Sequence, residues 1–259
     1  MSLIDTHTHL AMGDYRGQLT EVLERSREAG IDRWITIGTD LRDSEAGVLL
    51  SLDHEGVFCT VGVHPHEAKE VTDDYLAQME ELAESAVGIG EIGLDYYYDN
   101  SPRQQQRKVF AEQLALALKL DKAIVIHCRE ALEDCLRIMD EGGGRDAKVV
   151  FHCFTGNRAE ARRLLDWGYY VSFTGVITYK NARISQKTAQ YVPMDRLLLE
   201  TDCPFLTPEP RRKIRRNEPA FMIHTAQKLA ELRGRDVEEI AQITTENADR
   251  LFQLDKPNS

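Results

Sequence analysis

The chain predicts a (β/α)8 TIM barrel, and three features point there. Short β-branched runs alternate with helix-period segments along the whole sequence, the alternation repeats eight times, and 259 residues is a length that single barrels of this kind use. The strand-like runs are Leu3–Thr6, Trp34–Gly38, Val57–Val63, Val87–Ile92, Ala123–His127, Lys148–His152, Tyr170–Phe173 and Leu197–Glu200. Between them lie helical segments at Gln18–Ala29, Asp74–Ser85, Arg103–Leu120, Glu130–Asp140, Ala159–Trp167 and Ser185–Tyr191. A doubly wound open sheet shares much of this pattern and is the alternative architecture. No linker or low-complexity break interrupts the chain, so residues 1–259 read as one domain. Two further helices, Pro219–Arg233 and Asp236–Leu254, follow the eighth strand. Asp236 is placed to cap the last of them, with Glu239 completing a capping box.

Composition narrows the function. With 32 basic against 43 acidic residues the formal net charge is -11, which excludes a polybasic nucleic-acid binder. It leaves a nuclease open, because metal ions and a local basic patch attract phosphate inside an acidic protein. The cysteines number five and form no C-x-x-C, so neither a disulfide framework nor a zinc ribbon is indicated, and a reducing, cytoplasmic setting is expected. The first residues carry no secretory signature, and no apolar run approaches the roughly 20 residues that span a bilayer. The expectation is a cytoplasmic monomer with no membrane contact and no obligate protein partner.

The chemistry sits at strand ends. The first strand leads into His7 and His9, whose side chains project to one face because strand residues alternate. Glu91 follows Val87-Gly88-Ile89-Gly90, His127 ends Ile124-Val125-Ile126, His152 ends Val149-Val150-Phe151, and Asp202 follows Leu197–Thr201. In a barrel the C-terminal strand ends converge on one rim, where active sites lie. Nitrogen and oxygen donors without thiolates suit zinc, manganese or magnesium. These ligands exceed what one catalytic ion needs. Glu91 is the natural bridge between two divalent ions, which together activate water and stabilise charge on a phosphoryl oxygen.

The stretches Asp5-Thr6-His7-Thr8-His9, Gly62-Val63-His64-Pro65, Gly90-Glu91-Ile92-Gly93-Leu94-Asp95-Tyr96, Ile126-His127-Cys128-Arg129, Phe151-His152-Cys153-Phe154-Thr155-Gly156 and Glu200-Thr201-Asp202-Cys203-Pro204 closely resemble the TatD family of metal-dependent deoxyribonucleases. The segment from Thr245 to Phe252 also resembles that family's end. The resemblance implies an amidohydrolase-type barrel, two divalent metals (Mg, Mn or Zn), and hydrolysis of DNA phosphodiester bonds, exonucleolytic in mode. Carried onto this chain, it makes His7, His9, Glu91 and Asp202 ligands of one ion, and Glu91, His127 and His152 ligands of the other. It gives Asp202 the further role of accepting the proton of the attacking water, and it gives His64 contact with substrate phosphate. The alternative activity, available to the same ligand set, is hydrolysis of carboxylic esters or amides, as in a D-aminoacyl-tRNA deacylase.

Substrate contacts are expected from basic side chains near the rim. The segment Arg211–Arg216 holds five basic residues in six, in a loop that lacks the glycine of the family's Arg-Gly-Lys pattern. Arg212, Arg215 and Arg216 are expected to bind phosphates of a DNA strand, and Arg129 to reach the rim from the fifth strand. Tyr96, Tyr97 and Tyr98 either stack on an extruded base or pack their loop onto the barrel.

Overall fold

The computed structural model describes residues 2–254. Eight parallel strands follow one another in a single sheet in sequence order, β1 (Leu3–Thr8), β2 (Ile31–Ile37), β3 (Val57–Val61), β4 (Gly88–Asp95), β5 (Ala123–Arg129), β6 (Val149–Phe151), β7 (Tyr170–Phe173) and β8 (Leu197–Leu199). That is the strand order of a (β/α)8 barrel. A doubly wound sheet reverses direction part-way, so the alternative architecture is excluded. The helices are α1 (Leu19–Glu28), α2 (Leu41–Asp53), α3 (Tyr75–Ala83), α4 (Arg103–Lys119), α5 (Leu132–Glu141), α6 (Arg158–Leu165), α7 (Arg183–Tyr191), α8 (Met222–Arg233) and α9 (Val237–Phe252). Among the described residues no helix is long and apolar enough to cross a membrane.

Two compact units make up the chain: Met1–Thr36 with Cys153–Ser259, and Ile37–His152. In the first, α9 packs on β1 and β8. Every residue of β1 is buried, as are Trp34, Phe173, Leu197, Leu198, Leu199, Leu229 and Ile240. Apolar residues on both faces of a strand are what parallel strands under a helical layer require. Thr8 bridges Cys203 in parallel, fastening the end of β1 to the segment that leaves β8. Asp236 precedes α9 as expected, but its side chain makes no capping bond. Glu239 is drawn away from the helix start by Arg235, one turn before it, so the expected capping box does not form. The capping box that does form is at α6, where Asn157 accepts from the N–H groups of Ala159 and Glu160 and Glu160 accepts from that of Asn157.

In the second unit, all eight residues of β4 are buried, and Phe110, Leu114, Ile124, Ile126, Met139 and Phe151 fill the core around it. The β4–β5 pairing shifts register between Ile89 and Ile92, so Glu91 sits on an irregularity of the strand. Such interruptions re-aim a side chain beside functional sites. The glycines next to it are sterically required. A Cβ on Gly90 would stand 2.6 Å from Val125 Cβ, and one on Gly93 would stand 2.0 Å from the His127 carbonyl oxygen, at a backbone φ of +136°.

Candidate metal centre

Each unit carries its own cluster of histidines around a carboxylate oxygen. In the first, backbone hydrogen bonds lace the end of β1 to the exit of β8: Asp202 N donates to His7 O and His9 N to Cys203 O, both at 2.9 Å. Asp5, fully buried beneath them, accepts from Thr201 N at 2.9 Å and Thr201 Oγ1 at 2.6 Å. Burial pushes the Asp5 carboxyl up to about 8 against these bonds. Asp202 has φ +57°, a left-handed turn that a residue with a short polar side chain tolerates. Its Oδ1 then lies 3.3 Å from His9 Nε2 and 3.7 Å from His7 Nε2.

In the second unit, Glu91 Oε1 lies 2.6 Å from His127 Nδ1, 2.7 Å from His152 Nε2 and 3.5 Å from His64 Nε2. The Glu91 side chain is only 3% exposed. A buried carboxylate is costly unless countercharge or hydrogen bonds compensate it, and here imidazole nitrogens approach one oxygen from three sides. His64 Nδ1 accepts from His66 N, which puts its proton on Nε2 towards Glu91. Burial holds His64 well below the ordinary imidazole range, so at neutral pH it is uncharged.

Behind this cluster stands Asp95, with no exposed surface. Its Oδ2 lies 3.1 Å from His127 Nε2 and 3.0 Å from His66 Nε2, while Oδ1 accepts from the N–H groups of Tyr97 and Tyr98. Burial favours the neutral acid, yet the bonds to His127 and Tyr98 outweigh it and hold the Asp95 carboxyl below the usual carboxylate range. A carboxylate only accepts, so His127 donates from Nε2 and turns Nδ1 towards Glu91. Burial likewise opposes charge on His127, but Asp95 and Glu91 on either side raise its pKa above the ordinary value. Asp95→Asn is expected to weaken divalent-cation affinity of this cluster by about 10–100-fold, read by calorimetric titration with Mn²⁺. An unchanged affinity would reduce Asp95 to a support for the Tyr97–Tyr98 turn.

The donor set suits a divalent cation in both units. The groups are carboxylate oxygens and imidazole nitrogens, converging without thiolates, and His64, Glu91 and His127 offer ligand atoms within 4.8 Å of one another. The sequence matches the family described as TatD related DNase over residues 4–253. The chain belongs to the TatD DNase family. The metal-dependent hydrolase YabD of Bacillus subtilis is 41% identical over 254 residues, covering 97% of this chain and 99% of that protein. The 3'-5' ssDNA/RNA exonuclease TatD of Edwardsiella piscicida is 36% identical over 260 residues, covering 97% of this chain and 100% of that protein. The crystal structure of YJJV, a TatD homolog from Escherichia coli K12, superposes with a TM-score of 0.91 at 28% identity and covers 97% of this chain and 98% of that one.

The TatD-type residues expected from the sequence thus fall into two groups, His7, His9 and Asp202 in one unit and His64, Glu91, His127 and His152 in the other. Of the expected substrate contacts, Arg129 is exposed at the end of β5 and Arg212 and Arg215 are exposed in the basic loop. Arg212 lies over the Tyr179 ring at 3.6 Å. Arg216 is engaged within the fold, donating to Asp14 O at 2.6 Å and Gln18 Oε1 at 3.0 Å. The loop ends on buried Asn217, whose Nδ2 donates to Thr201 O and Phe205 O on either side of Asp202. His66 carries no role in the sequence pattern, and Asp95 enters it only within the Gly90–Tyr96 stretch, without a role of its own. The available signal was strand alternation: Glu91 and Asp95 are four apart in one strand and share a face.

Proposed function

We propose that this chain is a metal-dependent nuclease that hydrolyses phosphodiester bonds of single-stranded nucleic acid, DNA above all, working from a chain end. The observation that carries the reading is the Glu91 carboxylate oxygen set among His127, His152 and His64, in a chain of the TatD DNase family. Glu91, His127 and His152 would hold one divalent ion, and His7, His9 and Asp202 would hold a second. Ions bound there supply electrophilic assistance at the phosphoryl group and neutralise the charge that develops on it.

The chain's own groups do the rest. Asp202, a half-buried carboxylate beside His9, accepts the proton of the attacking water in this reading. His64, uncharged by burial and carrying its proton on Nε2, donates to a non-bridging phosphate oxygen. Arg129, Arg212 and Arg215 offset the repulsion between DNA and a chain of net charge -11. Arg216 contributes to that field while its donors hold the loop to Asp14 and Gln18.

The test is a parallel assay of protein reconstituted with Mg²⁺, Mn²⁺ or Zn²⁺ against end-labelled single-stranded DNA, RNA, an aminoacyl-tRNA and simple carboxylic esters. Release of mononucleotides is the expected result. Turnover of aminoacyl-tRNA or esters without nucleotide release would replace the reading with a carboxylic ester hydrolase.

A further inference from the structure

We propose that Tyr97, Tyr98 and Arg129 form a nucleobase-stacking subsite, which lets the enzyme grip the base as well as the phosphate of a single strand; this rests on the nuclease reading above. The three consecutive tyrosines separate into two kinds. Tyr96 is used by the fold: its hydroxyl donates to Asp134, Arg107 donates to that hydroxyl, and Arg103 covers its ring at 4.3 Å. Tyr97 and Tyr98 are not used in that way. They stand 55% and 54% exposed, with ring centroids 4.8 Å apart and planes at 88°.

Arg129 lies over both rings, its guanidinium carbon 4.3 Å from the Tyr97 centroid and 4.7 Å from that of Tyr98. Among the described residues this guanidinium has no ion pair or side-chain hydrogen bond. An exposed cation held on two exposed aromatic faces, in an acidic chain, is complementary to a ligand that is aromatic and anionic at once. A nucleotide is both, and base–aromatic stacking with an arginine contribution is how sequence-independent single-strand binders work.

The pair is also anchored. The N–H groups of Tyr97 and Tyr98 both donate at 2.9 Å to Asp95 Oδ1, the carboxylate whose other oxygen bonds His127 and His66. The Tyr98 ring meets the His66 ring edge-on at 5.5 Å. Arg129 follows His127 by two residues in β5, about 6.6 Å along a strand, and pairs in register with Asp95. A base held here therefore lies within reach of the phosphate that His127 and Glu91 serve, on a rigid mount rather than a free loop tip.

The experiment compares the affinity of metal-reconstituted protein for two hexanucleotides with hydrolysis-resistant phosphorothioate backbones. One carries bases, the other abasic sites, with equal length and charge, and binding is read by fluorescence anisotropy. The wild type is expected to prefer the base-bearing strand by about 5–150-fold, the range for one stacked base. Tyr97→Ala/Tyr98→Ala should erase that preference while leaving abasic binding in place, and Tyr97→Phe/Tyr98→Phe should restore it. Arg129→Gln, which leaves both rings, should lower it partly. Equal binding of the two strands by wild type, alongside normal nucleotide release, overturns the subsite and leaves the nuclease reading intact. Binding of neither strand and no nucleotide release overturns both.

Discussion

Replacing Glu91 with glutamine is expected to reduce hydrolysis by about 10²–10³-fold, the scale of losing electrostatic stabilisation of the transition state, here through a weaker hold on the divalent ion that supplies it. The reason is geometric. One oxygen of this side chain is approached by nitrogens of His127, His152 and His64 at 2.6, 2.7 and 3.5 Å. Glutamine fills the same volume but carries no charge, and turning its amide nitrogen towards the histidines would point a donor where a donor already is. Elemental analysis after reconstitution should show the metal-to-protein ratio falling, because Glu91 is the carboxylate on which the His127, His152 and His64 nitrogens converge. The fold should survive, since the glycines and β4–β5 pairing that seat residue 91 are untouched, and circular dichroism melting checks this. A variant that keeps both ions and full turnover would remove Glu91 from the centre of the reading.

The parts of the molecule that the sequence made legible are those governed by local periodicity. β-branched runs separated by amphipathic helices identified eight strands, and parallel strands buried on both faces explain why those runs stand out. The helix α2 escaped this logic. It buries Ser44 and Gly47 while Leu49 and Leu52 stand 56% and 72% exposed, so two of its leucines mark the outer face and small residues the inner one. Its start was nevertheless written in the chain, since Asp40 accepts from Asp43 N as an N-cap.

Strand ends were the other weak point, and they matter because chemistry sits there. β4 runs on to Asp95 and β5 to Arg129, further than apolar composition suggests, because buried polar side chains supply the partners that solvent would otherwise provide. Gln106 does this for Asp95, accepting from its N–H and donating to its carbonyl. Reading β4 as ending at Ile92 hid the shared face of Glu91 and Asp95, and with it the carboxylate that orients His127. The basic loop shows the converse limit. Charge density picked out Arg211–Arg216 as a unit, but partner choice divides it, with Arg216 bonded to Asp14 and Gln18 while Arg212 and Arg215 remain at the surface.

Asp202→Asn separates two roles that the proposed scheme gives to one side chain. Asparagine keeps the size, the left-handed backbone and the N–H bond to His7 O, so the loop that leaves β8 should hold its course. Its amide still offers an oxygen towards His9 and His7, which the carboxylate now approaches at 3.3 and 3.7 Å. What it cannot do is accept a proton. If Asp202 is the base, kcat should fall by about 10²–10⁴-fold, while KM for single-stranded DNA stays near that of the wild type. Metal content decides between the roles. Retention of both ions with a depressed kcat assigns proton transfer to Asp202; loss of one ion in proportion to the loss of rate leaves it a ligand only. An asparagine variant with wild-type kcat would mean that the proton leaves by another route, and would overturn the assignment of the base.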